Sequence, residues 1–158
     1  MLLEGSCHCG AVRFSLQSEH AIPYQRCYCS ICRKTGGSGY MINLGGDAST
    51  LQVQGQEHVG VYRAMVERDG KQVKSRHHRM FCRECGSHLW AAHEAWPDLV
   101  HPVASAIDTE LPAAPSLVHM MLGSKASWVP VEAGPQDETF DAYPELSLAE
   151  WHRRHRPS

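Results

Sequence analysis

The stretch "GSCHCGAVRFSLQ", residues 5–17, sets two signals side by side. Cys7 and Cys9 form a C-x-C pair, and Gly10 follows at once. Beyond it, apolar Val12, Phe14 and Leu16 alternate with polar Arg13, Ser15 and Gln17. A period of two is the pattern of a half-buried strand, expected here over 11–17. The glycine tolerates the left-handed backbone that lets N–H groups fold over the preceding sulfur. A thiol-bearing turn therefore leads into a strand.

The same Cys-Gly ending recurs in "CRECG", residues 82–86, where Cys82 and Cys85 precede Gly86. A third cluster, "CYCSICRKTGG" at 27–37, places Cys27, Cys29 and Cys32 as C-x-C-x-x-C with Arg33 and Lys34 directly after, and it lacks such a glycine. Seven cysteines is an odd number, and they sit in tight groups. The start, "MLLEGSCHCG", has neither the basic region nor the apolar run of a secretory signal. No segment approaches the roughly 20 apolar residues of a membrane helix. A cytoplasmic, reducing setting is the expectation, and there such clusters point to metal rather than to disulfides.

The economical division is four and three. Cys7, Cys9, Cys82 and Cys85 would hold one zinc in a closed structural site, stapling the first strand to a hairpin far along the chain. Cys27, Cys29 and Cys32 would hold a second zinc with one position open to water or to a substrate thiol, as catalytic zinc is usually built. The expectation is thus two zinc ions per chain, one structural and one catalytic. Each piece has a plainer reading. A lone C-x-x-C could be a redox pair or two unrelated buried cysteines. His77, His78, His88 or His93 could complete the trio as a second closed site, or two of its thiols could form a disulfide.

A chain of 158 residues, 42% hydrophobic, suits a single domain over 1–158 with its own core. The net charge of −2 supplies no field to attract nucleic acid or an anionic membrane, so neither is expected as a partner. Further short strand candidates are 38–44, 50–54, 57–63, 74–81, 87–92, 98–104 and 117–122. Turn-forming "LGGDAS" (44–49) and "ERDGK" (67–71) separate several of them. Many short strands with frequent turns indicate a mostly β, antiparallel fold. Ser30 could cap a single helical turn through Arg33 and Lys34. Ser147-Leu148-Ala149-Glu150 fits a capping box that opens a C-terminal helix to about His155. Residues 112–115 and 130–135 are Pro-rich loops, and "RRHRPS" reads as a frayed basic tail.

Taken together, "GSCHCGAVRF", "CYCSICRKTGG" and "RMFCRECGSHLW" resemble the glutathione-dependent formaldehyde-activating enzyme family, which includes the centromere protein V-like domains. The resemblance extends through "VASAIDTELPAAPSLVHM" and "SKASWVPVEAGPQDETFDAYPE", and so covers nearly the whole chain. It implies twisted antiparallel, β-tent-like sheets stapled by a four-cysteine zinc, with a second zinc on Cys27, Cys29 and Cys32 near bound glutathione. One departure is Ser105-Ala106-Ile107-Asp108, where many members have a glycine before an Asp-bearing turn. The implied reaction joins formaldehyde, or another small aldehyde, to the thiol of glutathione. The product is an S-hydroxymethylglutathione-type adduct, and the enzyme is formally a carbon–sulfur lyase.

Within that reading Cys27, Cys29 and Cys32 are the catalytic candidates. Arg33 and Lys34 are candidates to meet the glutathione carboxylates, or else solvated surface charges. His77 or His78 could act as general base, although period-two packing would turn one of them outward. Trp90, Trp96 and Trp128 could floor a cleft but fit core or rim packing better. Met120 and Met121 read as core filler. The competing functional class is a non-catalytic zinc module that binds a protein partner.

Overall fold

A computed structural model describes residues 1–155. Among them are fourteen strands: β1 (Leu2–Ser6), β2 (Arg13–Gln17), β3 (Tyr24–Cys27), β4 (Met41–Asn43), β5 (Gly46–Asp47), β6 (Gln52–Gln54), β7 (Val59–Tyr62), β8 (Met65–Arg68), β9 (Lys71–Lys74), β10 (His77–Cys82), β11 (His88–His93), β12 (Leu99–Pro102), β13 (Leu117–Met120) and β14 (Glu138–Thr139). The helices are α1 (Ser30–Gly36) and α2 (Leu148–Arg154). The fold is mostly β with antiparallel sheets and a short C-terminal helix. The chain forms two compact units, Met1–Glu19 with Gly45–Glu110, and His20–Leu44 with the segment from Leu111 onward.

The first unit contains the antiparallel sheet β1-β2-β6, the five-stranded sheet β5-β12-β11-β10-β7 and the hairpin β8-β9. Alternation in β2 does what its pattern dictates: Phe14 and Leu16 are buried while Arg13 and Gln17 are exposed. These side chains join Leu3, Leu89, Trp90, Val100 and Val103 in the core. The Phe14 and Trp90 rings meet at 5.0 Å. Each such buried side chain contributes roughly 1.5–3 kcal/mol.

β1 has no alternating signal, because its inward positions are Leu3 and a glycine, Gly5. Gly5 is required there: an added Cβ would lie 2.4 Å from the Phe14 ring. β8 and β9 are also absent from the sequence reading. They are a largely exposed, polar hairpin around Asp69 and Gly70, and only the turn itself carried a signal.

The second unit is built on the sheet β14-β13-β3-β4. β3 pairs antiparallel with β4, but β13 runs parallel to both β3 and β14. Hydrophobic period does not distinguish those two pairings from antiparallel ones. Central β3 is half-buried through Tyr24, Gln25 and Arg26 and has no alternation to read. The chain leaves β3 at Cys27 and enters α1 at Ser30.

The expected cap of α1 moves by one residue. Cys29, not Ser30, is the N-cap, and its sulfur accepts the Cys32 N–H at 3.3 Å. At the other end Ser147 caps α2 as the capping box required, accepting the Glu150 N–H at 3.2 Å. α2 buries Trp151 and ends at Arg154, and His152 Nε2 lies 2.7 Å from the Ile22 carbonyl. Arg153 and Arg154, read as part of a basic tail, belong to this helix; residues 156–158 of that tail lie outside the described residues.

Candidate functional site

Two thiol groups form, one in each unit. In the first, the turn after β1 supplies Cys7 and Cys9. The end of β10 and the following turn supply Cys82 and Cys85. The four sulfurs all lie within 4.8 Å of one another, with Cys7–Cys9 at 3.6 Å and Cys9–Cys82 at 3.8 Å. Four thiolates about 2.3 Å from a tetrahedral centre sit about 3.8 Å apart, so the arrangement fits zinc. Gly10 and Gly86 take positive φ of 78° and 79°. Their N–H groups close the two turns onto the Cys7 and Cys82 carbonyls.

Polar groups tune these thiols individually. The Ser87 hydroxyl, then the N–H groups of Cys9 and Ser87, hold Cys85 down at about 5. Cys7 is also lowered: burial works against it, but the Val12 N–H and the Cys9 and Cys82 thiols outweigh that. Cys9 receives the Ala11 N–H, yet burial and the thiols of Cys7, Cys85 and Cys82 push it up to about 12. A dication is what allows all four to be thiolates together.

In the second unit Cys27, Cys29 and Cys32 also place their sulfurs within 4.8 Å. No histidine, aspartate or glutamate among the described residues joins either group at that distance. Cys27 and Cys32 are buried and Cys29 is half-buried. Hydrogen bonds with Cys29 and Cys32, then burial and the charge at Cys32, push the Cys27 thiol far above its ordinary range. Three sulfurs so close do not ionise together without a cation, and their spacing fits three corners of a zinc tetrahedron. Asn43, on β4, turns its amide Nδ2 toward Cys32 Sγ at 3.9 Å. Its Oδ1, and Nε of both Arg26 and Arg33, are buried without a hydrogen-bond partner. Of these groups Asn43 borders the trio, with an amide able to meet a polar ligand, whereas Arg26 lies over the Tyr40 ring.

The family model described as "Glutathione-dependent formaldehyde-activating enzyme" matches residues 2–124. The chain belongs to this family. A Halomonas elongata protein named "Putative glutathione-dependent formaldehyde-activating enzyme" is 57% identical over 155 residues, 98% of this chain and 96% of the relative. A Rhodobacter sphaeroides protein of known crystal structure shares the fold with a TM-score of 0.54 at 25% identity, over 69% of this chain and 91% of that one. Membership of the formaldehyde-activating family makes the chain an enzyme. No helix among the described residues is long and apolar enough to cross a membrane.

The other sequence candidates divide. Arg33 and Lys34 lie in the last turn of α1, where they complement the helix C-terminus; Arg33 is half-buried and Lys34 exposed. His77, His78, His88 and His93 all lie on β10 and β11 of the first unit. His78 is held by Glu94 at 3.0 Å. Burial, then the charge of Arg79, lowers His77 and His88 to about 4. Trp90 is core, whereas Trp96 and Trp128 are exposed. Met120 is half-buried on β13, and Met121 follows at φ 61°. Asp108, in the turn that departs from the family's glycine, accepts the Ser6 hydroxyl at 2.6 Å.

Sequence reasoning missed Asn43, since a lone asparagine after "YMI" carries no ligand signal. It also missed a hydrogen-bonded chain, Tyr28–His119–Asp137, of which Tyr28 and His119 are buried and Asp137 half-buried. The Tyr28 hydroxyl is 2.8 Å from His119 Nδ1, and His119 Nε2 is 3.1 Å from Asp137 Oδ2. Asp137 lies beyond the segment that the family model matches.

Proposed function

We propose that the chain is a zinc-dependent carbon–sulfur lyase. It joins glutathione or a similar small thiol to formaldehyde or another small aldehyde, giving an S-hydroxymethylglutathione-type adduct, and catalyses the reverse. The observation carrying this reading is the unequal completion of the two clusters: four sulfurs close one, and three leave a corner of the other open. Cys7, Cys9, Cys82 and Cys85 would hold a structural zinc. Cys27, Cys29 and Cys32 would hold a second zinc, which when bound supplies Lewis acidity and favours thiolate over thiol.

In the forward direction the substrate sulfur donates an electron pair to the aldehyde carbon. A carbon–sulfur bond forms, and the carbonyl π pair moves to oxygen, which takes up one proton. The thiol loses one proton, so the addition is balanced without an oxidant. Asn43, which faces Cys32, and Arg33, which follows Cys32 on α1 and has a buried Nε without a partner, would receive the polar ends of the reactants. Lys34, exposed on the same helix, would meet a glutathione carboxylate.

The test compares wild type with Cys29→Ser by metal analysis, and follows adduct formation from glutathione and 13C-formaldehyde by NMR. Wild type is expected to carry two zinc ions and to exceed the uncatalysed rate. Cys29→Ser is expected to keep one zinc and its fold while losing the acceleration. Wild type that never exceeds the spontaneous reaction would return the chain to the class of zinc-binding interaction modules.

A further inference from the structure

We infer that the Tyr28–His119–Asp137 chain, buried at Tyr28 and His119, is a positioning device for the Cys27, Cys29 and Cys32 sulfurs, an inference that rests on the trio being the reactive centre. Tyr28 is the residue between the first two cysteines of the trio. Its side chain is 1% exposed, and its backbone N–H extends the β3–β13 ladder to the Met120 carbonyl at 3.1 Å. Residues 27 and 29 flank it, and alternation along extended chain directs their side chains away from the tyrosine ring. Anchoring Tyr28 from behind therefore fixes the direction in which two of the three sulfurs are presented.

The anchor is specific. His119 is 0% exposed and sits on β13 at the position before Met120, which pairs with Cys27. Asp137 is held in turn by the N–H groups of Leu117 at 2.8 Å and Gly134 at 2.9 Å. A carboxylate so surrounded accepts only, so His119 donates from Nε2. With the ring proton on Nε2, Nδ1 accepts and the Tyr28 O–H donates to it. Every member of the chain has its partner, with the Asp137 anion at one end.

Apolar residues of the same size would fill this space without the need for three matched partners. What the polar chain adds is a single defined orientation for Tyr28. Partners behind ligand-bearing residues commonly change metal affinity or activity 10–100-fold when removed. None of the three is a catalytic residue; they act through the cysteines.

The experiment uses the full zinc-loaded chain and titrates a chelator against each of its zinc ions in wild type, Tyr28→Phe and Asp137→Asn. Tyr28→Phe is expected to retain the four-cysteine zinc and to melt within a few degrees of wild type. Its trio zinc should be released at about tenfold lower chelator concentration. Asp137→Asn, whose single amide oxygen can accept from only one of the Leu117 and Gly134 N–H groups, should weaken the same zinc and carries the test if Tyr28→Phe does not fold. Nitrogen-15 NMR of wild type should find His119 protonated on Nε2. Unchanged release of the trio zinc in both variants, or a proton on Nδ1 alone, would overturn the inference. If wild type holds no zinc on the trio, the metal reading fails separately. Positioning is then read from iodoacetamide alkylation of Cys29, expected to change severalfold in Tyr28→Phe and overturned by equal rates.

Discussion

The two cysteine clusters differ first in how much chain lies between their members. Cys9 and Cys82 are 73 residues apart, whereas Cys27, Cys29 and Cys32 fall within one short segment. Closing the long loop removes much conformational freedom from the unfolded chain; closing the short one removes little. They differ again in supporting structure. Glycine turns and a serine hydroxyl surround the four-sulfur group, while the trio stands on a strand end and a helix cap, backed by buried polar side chains. On the proposed reading, thiols of one chemical type would serve as a staple in the first group and as an exchangeable site in the second, with chain separation and the number of ligands as the difference.

That contrast is broken most severely at Cys82, which is wholly buried and joins the two distant segments. Cys82→Ser should unfold the first unit. A crosslink over a loop of this length is worth on the order of 4 kcal/mol, and loss of metal adds to it. Near-UV circular dichroism and zinc content would register the change, and a folded two-zinc variant would refute the staple.

Acid offers a gentler separation. His77 and His88 fall from an ordinary 6.5 to about 4 on folding, chiefly by burial. The unfolded chain therefore binds more protons between those values, and their contribution is lost as pH drops from 6.5 toward 4. Asp137, lowered from 3.8 to about 2 first by the Leu117 and Gly134 N–H groups, loses its contribution only as pH falls below 3.8. Melting temperatures against pH should show His77→Asn flattening the upper limb and Asp137→Asn the lower one. Identical profiles for the two variants would contradict this order.

The smallest effect is expected at Gly86. It has positive φ with open space where a Cβ would sit, so Gly86→Ala adds only backbone strain, about 1 kcal/mol. In a domain of this size that is a fall in melting temperature of about 2–4 °C. A loss as large as that of Cys82→Ser would mean that the turn, rather than the metal ligands, holds the unit together.

Legibility followed burial pattern. β2 was visible because one face is buried and the other wet, and α2 because its cap chemistry is local. β1, β3 and the β8–β9 hairpin were not, for lack of alternation: a glycine on an inward face, a strand half-buried on both sides, and a hairpin with almost no buried face. Both cysteine groups were legible from spacing. The histidines offered as a fourth ligand were not separable from the rest on sequence grounds, and the structure sets them on β10 and β11 of the other unit.

The amino-acid sequence by itself determined which residues could ligate and how they divide, because the C-x-C, C-x-x-C and Cys-Gly spacings act over a few bonds. Only the tertiary structure decided that Cys29 caps α1, that Asn43 faces Cys32, and that Tyr28, His119 and Asp137 share one hydrogen-bonded chain. The last two juxtapositions join residues 11 to 91 positions apart through parallel and antiparallel pairing. No local pattern encodes a contact that strand register must first create.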